Sequence, residues 1–207
     1  MIQKAFVIVA TLVFAFAILL TSIFRTAAVR YEFTAQNNPS VMGDNNFTID
    51  YELAYPGKVL PDSVFWPLKV VRDRLWLFAT TGDLKKAELK LLFADKRIGG
   101  AKILFSNGKN EIAYSTLTKA EKYLEEAYLA EEGVRKSGVD TKEFSTRLSK
   151  AALKHYQVMD EILEIAPDDA KPGIRSIQDI PKTCYQRSMN SLLEQGLTAP
   201  ENPYNWQ

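Results

Sequence analysis

The stretch DLKKAELKLLFADKRIGGAKILF, residues 83–105, decides the fold. Leu84, Ala87, Leu91, Ala94, Ile98, Ala101 and Phe105 recur in it at alternating intervals of three and four, which lays one apolar seam along a helix. Asp83 offers a cap at its start, and Asn107-Gly108 offers an end. The same spacing continues downstream. Ala113, Leu117, Ala120, Leu124, Ala127 and Val134 make a second seam, interrupted by Glu131. Phe144, Leu148, Ala151, His155, Val158, Ile162 and Ile165 make a third, from a start near Thr141. Over residues 168–195 the pattern weakens to Ile174, Ile177, Leu192 and Leu193, and Pro172-Gly173 and Pro181 predict a kinked or two-part helix there. Upstream, Asp62 or Ser63 is placed to cap a helix with Pro67 in its first turn, running to about Thr80 before Gly82.

The links between the seams are short, which makes successive helices antiparallel neighbours. Helices of about 24 residues are near 36 Å long. The expected fold is therefore all-α, an elongated antiparallel up-and-down bundle of four to five helices over residues 58–196. Charge agrees with the pairing, because residues 83–105 carry six basic and three acidic side chains whereas residues 111–136 carry six acidic and four basic. Heptad seams of this kind also permit assembly between copies, so a homo-oligomer is an alternative use of them.

Working outward to the N-terminus, Ala5–Phe24 is an apolar run without charge, flanked by Lys4 and Arg25. Twenty residues span roughly 30 Å, the thickness of a hydrocarbon core, so residues 5–24 are expected to be a transmembrane signal-anchor behind a flank at 1–4. A cleavable signal peptide has a shorter apolar region and a small-residue cleavage site, whereas here Arg25 follows the run at once. The anchor is expected to hold the bundle outside the cytoplasm at a cell membrane. Residues 25–57 read as an extended linker, rich in Asn and turn residues, with a period-2 stretch at Phe47, Ile49, Tyr51 and Leu53 that suits a strand-like segment laid along a helical surface. Residues 197–207 form an aromatic tail.

Composition removes several function classes. With 46% hydrophobic and 25% charged residues the chain is neither disordered nor fibrous. A net charge of +1 gives no basic face for nucleic acid, and one Cys with one His supplies neither a disulfide framework nor a usual zinc site. No phosphate-cradling loop or nucleophile elbow is present. Gly99-Gly100 lacks the phosphate-loop spacing and reads as a close helix contact or local bend. His155 reads as a packed seam histidine, Cys184 as a free thiol able to pair between chains if exported, and Glu125-Glu126 and Glu131-Glu132 as solvated helix faces.

The segment Tyr55–Lys69, YPGKVLPDSVFWPLK, resembles the YPG-x-LPDSP-x-x-PLK signature of a bacterial family known only as a domain of unknown function. Pro56, Gly57, Leu60, Pro61, Asp62, Ser63, Pro67, Leu68 and Lys69 match, and Val64 stands where the family often has Pro. The resemblance covers roughly residues 51–135. It implies one N-terminal membrane segment and an exported helical domain, and it supplies no catalytic residues.

No catalytic, cofactor or metal residues are expected. The expected function is a non-enzymatic scaffold, sensing or partner-binding domain on a membrane anchor, engaging an unknown protein partner. The alternatives are a secreted ligand-binding module after signal cleavage and a membrane-bound regulator with a cytoplasmic bundle. Phe65, Trp66 and Trp76, which crowd the first helix, are the candidate partner-binding residues, with Tyr204 and Trp206 of the tail. The competing reading of those aromatics makes the first helix the most buried member of the bundle and docks the tail on it.

Overall fold

A computed structural model of the chain describes residues 49–204 and 206, with Thr11 and Ala15 as isolated positions. The seams become helices: α1 (Trp66–Ala79), α2 (Asp83–Ser106), α3 (Asn110–Lys136), α4 (Lys142–Ile165) and α5 (Lys171–Glu194). No strand occurs among the described residues. All but two positions of residues 5–24 lie outside them, and no described helix is long and apolar enough to cross a membrane.

The seam residues of α2, α3 and α4 are buried nearly throughout, with Leu84 half-buried and Ile165 exposed. They form two apolar clusters stacked along the bundle. One gathers Leu91, Leu124, Leu148 and Tyr185, and the other gathers Ile98, Leu117, Met159 and Ile174. Residues 49–54 lie along the helices without forming a strand. Ile49 is buried in the first cluster with Tyr51 against it, while Leu53 packs on the second.

Sequential helices are not all neighbours. α3 packs chiefly on α2 and α5, and α4 chiefly on α5 and α2, so α3 and α4 stand across the bundle from each other. The link at 137–141 is long enough to cross that diagonal. Contacts between neighbouring hairpins recur at one sequence separation: Glu88 with Arg147, Lys102 with Glu161 and Arg135 with Glu194 are each 59 residues apart. A constant offset means that the helices run in the same direction. The α2–α3 and α4–α5 hairpins therefore lie side by side in parallel register, and the expected all-antiparallel neighbours are corrected to a mixture of parallel and antiparallel pairs.

α5 is continuous from Lys171 to Glu194, so the expected break is absent. Pro172 falls in its first turn, where the missing N–H is harmless, and Pro181 is buried within the helix. The first helix starts later than expected, at Trp66 after a turn at 61–65, and neither Asp62 nor Ser63 caps it. Likewise Asp83 lies in the first turn of α2, behind an N-cap at Gly82.

Candidate functional site

The site is built around α1, beginning with the loop that delivers it. Gly57 takes φ +82°, a left-handed conformation open to glycine, and turns the chain so that Pro56 lies on α2. A Cβ on Gly99 would lie 3.5 Å from Pro56 Cδ, and one on Gly100 would lie 3.4 Å from Leu60 Cδ2. The two glycines thus provide the seat for the loop. Lys69 closes it, its ammonium donating to the carbonyls of Pro56 at 2.7 Å and Val59 at 2.9 Å. Burial lowers the Lys69 pKa to about 8, with Arg72, Lys96 and Arg97 adding to the depression and Asp73 opposing it. Pro56, Gly57, Leu60 and Lys69 accordingly perform a mechanical task.

The inner face of α1 carries the aromatic and charged anchors. Trp66 is half-buried beneath the Lys69 ammonium, which is 5.1 Å from its ring centre. Trp76 meets Phe93 edge-on at 6.0 Å, and Phe93 meets Tyr123 at 5.8 Å. The Arg97 guanidinium lies 4.4 Å from the Tyr123 ring centre. Asp73, the one buried residue of α1, pairs with Arg72 at 2.7 Å. Trp66 and Trp76 are therefore the rivets of α1, turned away from any partner.

The outer face is different. Val64, Leu68, Val71, Leu75 and Phe78 follow at intervals of four and three, and all are exposed, Val64 at 91% and Phe78 at 89%. Phe65 lies beside this stripe and is 65% exposed. The expectation that α1 is the most buried helix is thus overturned. A 14-residue helix packed by one edge cannot bury both a Trp-bearing face and an aliphatic one. At 100° per residue, Arg72 and Arg74 fall on opposite margins of the stripe. A groove of about 610 Å³ adjoins it, floored by Pro56, Phe65 and Leu68 and lined by Lys58, Lys69, Arg72 and Lys96, with no acid among the lining residues.

Three other features were weighed as sites. His155 is fully buried between the two apolar clusters, its Nδ1 2.9 Å from Glu121 Oε1 and its Nε2 3.1 Å from Asp95 Oδ1. Tyr51 donates to the other oxygen of Asp95 at 2.8 Å. Burial opposes protonation, but the charge of Glu121, the hydrogen bonds to both carboxylates and the charge of Asp95 outweigh it and raise the His155 pKa to about 9. An imidazolium with both N–H groups engaged has no nitrogen left for substrate or metal, and the two acids approach opposite sides of the ring. The triad ties α2, α3 and α4 at one level, as a buried polar group fixes register in a helical core. A second polar layer lies where Glu131 accepts from Thr141 at 2.6 Å and Ser145 at 2.7 Å. Glu131 is 1% exposed, so the expected solvated acid is corrected to a buried acceptor.

The tail docks on its own bundle. Tyr204 and Trp206 stack at 5.2 Å, Tyr156 packs on both, and Tyr185 donates to the Pro200 carbonyl at 2.7 Å. The structure does not bring them to Phe65, Trp66 and Trp76. Cys184 is 3% exposed, and burial, then Glu121 and Glu125, push its pKa up. A buried thiol does not meet a second chain while the bundle is folded, which corrects the expected cross-link.

Compared with known proteins, residues 58–169 match a family described as a domain of unknown function, DUF5667. The match leaves Tyr55-Pro56-Gly57 outside and extends beyond the expected limit to the end of α4. No curated protein and no solved structure matches the chain.

Proposed function

Because the chain belongs to this family of domains of unknown function, and because α1 turns an apolar stripe outward, we propose that it is a membrane-anchored, non-enzymatic binding module. Residues 5–24 act as the anchor, the bundle stands outside the cytoplasm, and α1 is the element through which it engages its surroundings. The stripe from Val64 to Phe78 carries this reading. Scattered apolar surface residues are ordinary, but five at heptad spacing on one helix mark an interaction face. The buried triad supports a binding role over a catalytic one, since its ionisable groups are spent on one another.

The test uses full-length chain in native membranes with Cys184→Ser and a single new cysteine, Leu68→Cys or Phe78→Cys. A membrane-impermeant maleimide added to right-side-out membranes should label both positions slowly, and label them quickly once detergent strips the covering. Rapid labelling in intact membranes overturns the binding face. Retention of the chain through a carbonate wash tests the anchor separately. Loss of a C-terminal tag to external protease tests the orientation.

A further inference from the structure

We propose that the surface covering α1 is the anionic bilayer itself, so that the helix lies in the headgroup region of the membrane that residues 5–24 enter. The inference rests on the anchored reading above and names the occupant of the same face.

Three observations select lipid. First, the stripe is bordered by cations. α1 has three basic side chains, Lys69, Arg72 and Arg74, and its single acid, Asp73, is buried on the inner side. An apolar face with basic margins and aromatic residues is the arrangement of helices that lie flat at a membrane surface, where long cationic side chains reach up to phosphates. Secondly, the adjoining groove is lined by Lys58, Lys69, Arg72 and Lys96 above Phe65 and Leu68, with no acid in its lining. Lys69 is committed to the Pro56 and Val59 carbonyls, and Arg72 to Asp73 through two of its nitrogens. A phosphodiester beside an acyl chain matches that lining, with Lys58 and Lys96 on the phosphate and Phe65 and Leu68 on the chain. Thirdly, a second copy is electrostatically mismatched, because pairing two stripes sets Arg72 and Arg74 of one against those of the other.

The tether makes a weak face sufficient. Residues 25–48 form a chain of 24 residues between the apolar run and Ile49, with a root-mean-square reach of roughly 27 Å for a coil. That reach keeps the local lipid concentration high, so modest interfacial affinity becomes occupancy.

The experiment places full-length Cys184→Ser chain, carrying an environment-sensitive fluorophore on Phe78→Cys, in vesicles of phosphatidylcholine with phosphatidylglycerol. Ser176→Cys on α5 is the control, being exposed on a helix remote from α1. Acyl-brominated lipids should cut emission from position 78 to about half or less and leave position 176 unchanged. Replacing phosphatidylglycerol by phosphatidylcholine, or introducing Lys58→Glu with Lys96→Glu, should remove most of the quench. Equal emission at 78 and 176 overturns the inference. Position 78 shielded in native membranes but unquenched in lipid vesicles overturns it in favour of a protein partner, leaving the binding face intact. Quench is read before a carbonate wash and retention after it, so loss of the chain on washing counts against the anchor and leaves the quench to decide the stripe.

Discussion

Lys69 donates to the carbonyl of Pro56 at 2.7 Å, and Pro56 lies on Gly99 and Gly100 of α2. This contact joins the loop, α1 and the bundle, so it sets where the outward stripe points. Lys69→Met keeps most of the stem and removes the donor from two carbonyls. It should lower stability to urea by about 1–3 kcal/mol and loosen α1 first. Hydrogen exchange over residues 56–79 reads this directly, and unchanged protection there would remove the clasp from the account.

Gly100 makes a graded test of the same seat. An added Cβ would sit 3.4 Å from Leu60 Cδ2, which is ordinary contact, so Gly100→Ala should be tolerated and can gain from better helix propensity. Gly100→Val has branches that need the space of Leu60 and Pro56. It should cost about 1–3 kcal/mol and raise the exposure of Trp66. Equal melting temperatures for the two variants would contradict the packing.

His155 gives the bundle a pH dependence with a defined sign. Its folded-state pKa, about 9, is above its ordinary value of 6.5, so the native state holds the proton more tightly. Its contribution is complete below pH 6.5 and disappears as pH rises through about 9. Asp95 and Glu121 face the ring, Tyr51 bonds Asp95, and the charge of Glu121 reaches Cys184. Urea unfolding should show a loss on the order of 2 kcal/mol between pH 6 and pH 8. His155→Gln should flatten it. Lys69 works in the opposite sense but between pH 8 and 10.5, outside that comparison.

Cys184 should behave as a reporter of unfolding. In the folded chain its thiol should resist a water-soluble disulfide reagent, and native oxidation should leave no cross-linked pairs on a non-reducing gel. Reaction should appear at the rate at which the bundle opens. Fast reaction under native conditions would contradict its burial.

The helices were legible because a seam such as Leu84 to Phe105 is a local property of sequence, and so was the docking of Pro56's neighbours near two glycines in a helix. The partners of His155 were not. Asp95 and Glu121 are 60 and 34 residues away and look like any helix charge until the hairpins are laid together. The one usable hint was a set of polar residues on seam faces, Glu131 on its own seam and His155 on another, which invites a search for acids and donors at the same level. The stripe of α1 was readable as a heptad but not as an outer face. Trp66 and Trp76 supply a rival inner face, and which of two apolar faces turns inward depends on where Phe93 and Tyr123 stand.

Ile49 and Trp206 share one apolar cluster, although one opens the continuous described chain and the other is its last described residue. A core whose first and last pieces are mutually required cannot shut while its later part is still being synthesised. Until residue 206 has cleared the ribosome, the cluster lacks one wall, and the earlier helices remain without their final partner. Such a chain stays threadable during synthesis and commits to its fold only after release, which is the order of events that passage through a translocation channel demands.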